Sequence, residues 1–174
     1  MQDMTEYLEP VRYNEGKVDW TLLPWSNDML LELQLDTQDV LDMDKIDFVK
    51  EILSNLFTKN IWGVLVKSLS LYQQYDYKGK TSEESIYIEL PYNALEQVCR
   101  VFMYAVETKY PRDNYKLAPG LPLESYIQSM WRHLVQYLRG EEVDIESKLS
   151  HLSHLACNCF MYLWTKKEYH NEKA

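Results

Sequence analysis

Four stretches of this chain repeat apolar residues at the spacing of a helix face, and that repetition constrains its fold more than any other feature. Two lie near the end: Tyr126, Ile127, Met130, Trp131, Leu134 and Leu138, then Leu152, Leu155, Ala156, Cys159 and Leu163. Pro122 stands where a first helical turn tolerates proline and Gly140 where a helix stops, so helices are predicted over 122–139 and 150–165. A third stripe, Leu95, Val98, Phe102 and Ala105, follows a capping-box pair, Asn93 and Glu96, and predicts a helix to about Lys109. The fourth runs through Val49, Ile52, Leu56, Ile61, Leu65 and Leu69. It predicts one helix over 45–73, or two broken near Lys59 and Asn60, with Asp44 placed to cap the start.

The rest is less regular. Residues 1–25 contain Pro10, Gly16 and Pro24 and little periodicity, and read as an extended arm. Between Asp28 and Asp47 seven carboxylates face the single Lys45, which predicts a solvated segment with at most a short helix at its start. "IYIEL" at 86–90 alternates in the manner of one short strand, but nothing obvious pairs with it. The expected architecture is an all-α helical bundle with an extended N-terminal arm and at most one short strand pair. With 174 residues, 46% of them hydrophobic, one domain spanning 1–174 is expected.

Net charge is −9, from 18 basic and 27 acidic side chains. Such a chain repels extended phosphate polymers, so polymeric nucleic acid is an unsuitable partner, although a few cations aimed into one pocket can still hold a small anion. Apolar runs are broken by charge every few residues and no basic, then apolar, leader follows Met1; no membrane contact is expected, and the cytoplasm is the expected compartment. Cys99, Cys157 and Cys159 fit a reducing environment as packed free thiols.

Three of the four histidines fall within 132–158. His151 and His154 share a helix face, and an antiparallel hairpin would bring His133, near the end of the preceding helix, close to them. Between them the connector "GEEVDIES" supplies Glu141, Glu142, Asp144 and Glu146, hard oxygen donors that imidazoles lack for Mg or Mn. This pattern suggests a mixed nitrogen and oxygen site for a divalent metal, Mg, Mn or another transition metal. The plainer alternative makes His133 and His154 hydrogen-bonded core residues, His151 an exposed residue at the helix start, and the acids a solvated turn. Lys109, Arg112, Asn114 and Lys116 form a donor-rich loop suited to phosphate, in a composition that ordinary surface loops also have. Tyr126 and Trp131 could stack on a base, although their helical spacing is equally that of core residues. No glycine-rich phosphate loop, nucleophile elbow or CxxC pair occurs.

Three segments, "GKVDWTLLP", "LPYNALEQVCRVFMYAVETKYPRDNY" and "YIQSMWRHLVQYLRGEEVDIESKLSHLSHLACN", together resemble the phage-encoded dATP/dGTP diphosphohydrolase N-terminal domain. The last is the most specific, matched by Arg132, His133, Gly140, Glu141, Asp144, Glu146, Ser147, His151, Leu152 and His154. Lys17, Asp19, Lys109, Tyr110 and Asn114 match the earlier parts. Tyr115 stands where the family has Trp and Lys148 where it has Gly, and residues 26–90 look like an insertion packed on the core.

The resemblance implies a distant relative of the all-α NTP pyrophosphatases. It further implies metal-dependent hydrolysis of a (deoxy)purine nucleoside triphosphate to monophosphate and pyrophosphate, in phage nucleotide metabolism within the host cytoplasm. Under it, His133, Asp144, His151 and His154 would hold metal, and Glu141 or Glu146 would serve as base. Lys17, Lys109 and Arg132 would meet phosphate, with Asp19 and Asn114 lining the nucleotide, and Arg112 of the donor-rich loop is a further candidate for nucleotide binding. A homo-oligomer is expected. Two other functions fit the same residues: a non-catalytic, anti-defence sponge for a host immune signalling nucleotide, or an acidic protein-interaction module in which 28–47 binds a basic partner.

Overall fold

The computed structural model describes residues 16–79 and 90–170. Among them are six α-helices and no strand: α1 Asn27–Gln38, α2 Lys45–Phe57, α3 Ile61–Leu71, α4 Tyr92–Thr108, α5 Leu123–Leu138 and α6 His151–Tyr169. The protein is all-α. Most of residues 1–25, and all but Leu90 of the strand expected at 86–90, lie outside the described residues. What is described of the arm includes a single 3-10 turn, Trp20–Leu22, capped by the Asp19 side chain, so that stretch is not extended throughout.

Two helices form the centre. In α3, Val64, Leu65, Leu69 and Leu71 are buried, and in α6 the buried set includes Leu152, Leu155, Cys159 and Phe160. The two pack against each other, α2 covers α3, and α4 and α5 lie on α6. All three cysteines are free and buried. Burying a Leu- or Phe-sized side chain stabilises by roughly 1.5–3 kcal/mol, so these continuous stripes explain why α3 and α6 take the centre.

The helix ends show where local reading succeeds. Lys59, in the left-handed region at φ 61, reverses the chain between α2 and α3, and the Asn60 side chain accepts from the Gly63 backbone N–H. The expected stripe is therefore two helices. Asp44 sits at the N-cap of α2 but makes no side-chain cap bond. The Asn93/Glu96 box is not used either: α4 starts at Tyr92, two residues earlier than a cap at Asn93 would place it, and Gln73 Oε1 accepts from the Asn93 and Ala94 N–H groups. Gln73 belongs to a π turn, Tyr72–Asp76, that continues α3. From that turn Gln74 donates to the Val40 carbonyl and Tyr75 to that of Met43, and Asp76 accepts from the Tyr137 hydroxyl at 2.7 Å. The turn thus ties the loop between α1 and α2, α4 and α5 to the centre. The segment expected to be mostly solvated opens with a full three turns, α1, which bury Leu33 and Thr37.

Candidate functional site

α5 ends at Leu138, Gly140 just beyond it has a φ of 98 that suits glycine alone, and the chain returns through the twelve-residue connector 139–150 to α6. The connector is closed on itself. Val143 and Ser150 form an isolated antiparallel bridge, Asp144 N–H donates to the Leu149 carbonyl at 2.8 Å, Lys148 N–H to that of Asp144 at 2.8 Å, and His151 N–H to that of Glu142 at 2.9 Å. Asp144 Oδ2 accepts from the Ser147 N–H at 2.9 Å, so the carboxylate spans its own turn. Lys148 takes the left-handed conformation at φ 65.

This closure brings the three histidines together. His133 Nδ1 and His151 Nδ1 are 2.9 Å apart, and the His133 ring stacks on His154 with centroids 4.5 Å apart and planes 8° from parallel. His154 Nε2 is 2.7 Å from Ser147 Oγ and 3.8 Å from Asp144 Oδ2. His151 is 3% exposed, not the exposed residue of the plainer sequence alternative. Its Nε2 lies 3.5 Å from Glu141 Oε1 and has no hydrogen-bond partner.

Burial pushes the His133 imidazolium pKa down to about 3, with the neighbouring His154 and His151 rings adding to the shift. Burial likewise takes His154 to about 4, although Asp144 opposes it. Both rings are neutral near pH 7, the form that offers a lone pair. For Asp144, burial would raise the pKa, but the Ser147 backbone and hydroxyl bonds outweigh it and hold the carboxyl below its ordinary value. Ser147, His154 and Asp144 are the residue types of a nucleophilic triad, yet serine and aspartate both address the same nitrogen, Nε2. A triad needs the carboxylate on the other nitrogen, so this group is a loop fastener.

The donors also divide when tested against a metal. An ion bound by two imidazoles lies in both ring planes, and the nearly parallel planes of His133 and His154 share no such point. His133 and His151 do present a pair of facing nitrogens. Among the described residues, no three His, Cys, Asp or Glu side chains are gathered as a complete ligand set.

Of the charged groups nearby, Lys109 and Glu146 act on His154. Glu146 Oε1 accepts from the Tyr104 hydroxyl at 2.9 Å and lies 3.4 Å from Lys109 Nζ. Arg132, one residue before His133, is exposed. Arg112 is engaged elsewhere: its guanidinium donates to Asp19 Oδ2 and to Thr21 Oγ1, both at 2.7 Å, pinning the arm to the loop after α4. Asp19 is held below the usual carboxylate range by the Thr21 hydroxyl first and Arg112 second. Lys17 is exposed and Asn114 half-buried in the 3-10 turn Asn114–Lys116; neither shows a side-chain bond to the histidine group. Trp131 is half-buried against the core and Tyr126 is buried. Sequence reading passed over the roles of Tyr104 and Ser147. The Asp144-x-x-Ser147 spacing was a usable turn signal, whereas Tyr104 meets Glu146 across 42 positions with no local trace.

The family model described as dATP/dGTP diphosphohydrolase, N-terminal, matches residues 74–174, more than half of the chain. No curated protein matches, and no solved structure does. The matched span contains α4, α5, the connector and α6, and it begins inside the segment 26–90 that the motifs set apart. The chain belongs to this family.

Proposed function

From that membership we propose that the chain hydrolyses a purine deoxynucleoside triphosphate to its monophosphate and pyrophosphate, at the connector between α5 and α6. The observation that carries the reading is the meeting of His133, His151 and His154 where α5 turns into α6, with Glu146 of the connector bound to Lys109 and both of these charges acting on His154, inside the matched span. Lys109 and Arg132 supply positive charge for the phosphates on a protein of net charge −9. Lys109 is held by Glu146 in the structure, and an arriving phosphate competes for the same ammonium. Displacement of that cation leaves Glu146, still hydrogen-bonded to the Tyr104 hydroxyl, open to the attacking water.

Glu146 then takes the proton of the attacking water as its oxygen bonds to the α-phosphorus. The bridging bond from the α-phosphorus to the β-phosphate oxygen breaks, and pyrophosphate leaves with the bonding electrons. His133 and His151 would hold a divalent metal, which would supply charge neutralisation on the phosphates and a lowered water pKa. The buried rings of α5 and α6 exclude water from the inner side of the site. No covalent intermediate is required.

Binding without hydrolysis is the second reading. It is favoured by the prior engagement of both nearby acids, Asp144 by Ser147 and Glu146 by Tyr104 and Lys109. Incubation with a panel of deoxy- and ribonucleoside triphosphates plus Mn²⁺ or Mg²⁺, with products separated by ion exchange, tests both. Monophosphate and pyrophosphate from a purine deoxynucleotide are expected. Intact nucleotide held by the protein would favour binding alone, and orthophosphate as the first product would contradict the proposed bond cleavage.

A further inference from the structure

No residue of the proposed site comes from α1, yet its outer face carries a pattern that solvation alone does not account for. Leu31 and Leu35 stand one turn apart on that face and are 62% and 65% exposed. Asp28, Glu32 and Asp39 fall on the same face at helical spacing, and all three are exposed. We infer that this face docks a basic amphipathic helix of another protein. The leucines pack against apolar residues of that helix, and the carboxylates meet its lysines or arginines.

Three observations carry the inference. First, α1 cannot turn these leucines inward. Leu33 and Thr37 on its opposite side are buried, and Trp62 Nε1 of α3 donates to Asp36 Oδ2 at 2.7 Å, which holds the helix in its present rotation. Second, the face is of one sign. No lysine or arginine lies between Asp28 and Asp44, and among the described residues none of Asp28, Glu32 and Asp39 is in a salt bridge. Third, the other occupants carry the wrong charge. A second copy would set this acidic face against a chain of net charge −9. Residues 1–15 hold Asp3, Glu6, Glu9 and Glu15 against Arg12 alone, and residues 80–89 hold Glu83, Glu84 and Glu89 against Lys80 alone. Like charges side by side oppose association, whereas a basic helix is steered onto such a face. With two leucines at its centre the contact is small, and it suits a weak, salt-sensitive complex. α1 precedes the matched span 74–174, and the inference stands or falls apart from the proposed hydrolysis.

The probe is a fluorescein-labelled helical peptide of leucine and lysine, with its leucines along one face, read by fluorescence anisotropy against the full chain at low salt. Leu31→Ser/Leu35→Ser leaves every carboxylate in place and should weaken binding at least about 10-fold. Glu32→Lys should weaken it less, with the difference closing as salt is raised. Phe57→Ser, at an 81% exposed position of α2, should bind like the wild type. The same peptide with glutamate for lysine should not bind. Circular dichroism checks that each variant is folded; should the double variant unfold, Leu35→Ser and Glu32→Lys decide. Binding left unchanged by loss of the leucines would show attraction to negative charge alone and overturn the inference, as would a wild-type chain that binds no peptide. Sedimentation as a dimer that Leu31→Ser/Leu35→Ser returns to monomer would assign the face to a second copy instead. Photo-leucine crosslinks from this face to another segment of the same chain would assign it to the chain itself, and either result would equally overturn the inference.

Discussion

Two polar junctions hold this molecule's loops, and they are built in opposite ways. At the arm, Asp19, Thr21 and Arg112 satisfy one another at the surface, with the Arg112 and Asp19 side chains 47% and 37% exposed. At the α5–α6 connector, His151 is buried with a nitrogen unpaired, and His133 and His154 are kept neutral by burial. A satisfied, solvated ion pair is at rest; a buried group without its partner is costly and retains binding capacity. The contrast separates a structural clasp from the candidate site, even though both consist of the residue types that suggested phosphate or metal binding in the sequence.

The largest effect should come from the connector. Glu146→Gln keeps the shape but not the basicity, and should lower kcat by about 10²–10⁴-fold in a steady-state assay, the usual worth of a general base. Unchanged turnover would move the proton acceptor elsewhere.

A second prediction concerns pH and the metal-free protein. His133 and His154 accept protons at about 3 and about 4 in the fold, but near 6.5 once unfolded. Below about 6.5 the unfolded chain therefore binds more protons, and stability falls as pH falls, continuing until each folded value is passed. The slope has an upper bound of about 1.4 kcal/mol per pH unit for each histidine. Urea midpoints in chelator at pH 7, 6 and 5 should show this decline, and His154→Gln should flatten it. Equal slopes in both proteins would show that His154 is not a buried neutral ring.

Smaller effects sharpen the comparison. Lys148 holds a left-handed conformation at φ 65, so Lys148→Gly should raise stability by about 1 kcal/mol, read as an increase in Tm. Arg112→Ala at the other junction should cost less than about 1 kcal/mol, because an exposed ion pair contributes little. A cost for Arg112→Ala as large as that of a buried histidine substitution would erase the distinction between the two junctions.

The same contrast explains what the sequence disclosed. The α5–α6 hairpin was legible because apolar spacing fixes which helix faces turn inward, and an antiparallel turn through Gly140 then places His133 beside His151 and His154. Burial of His151 was not, since a polar residue opening a helix ordinarily faces water. The capping of α4 by Gln73 was hidden because its partners are 20 and 21 positions away. Residues 27–38 gave a weak signal because α1 leaves Leu31 and Leu35 exposed while burying Leu33, so its apolar residues trace no single face. The resemblance drew Asp19 toward the nucleotide and the donor-rich loop drew Arg112, because neither pattern tells a free cation from one bound to a carboxylate.

The central claim is that water attacks the α-phosphorus at the histidine connector. A single-turnover reaction of the purine deoxynucleoside triphosphate with Mn²⁺ in H₂¹⁸O, analysed by mass spectrometry, tests it most directly. The account predicts one ¹⁸O in the monophosphate, none in the pyrophosphate, and no labelled product from Glu146→Gln on the same timescale. Label in the pyrophosphate, or equal labelling by Glu146→Gln, would contradict it.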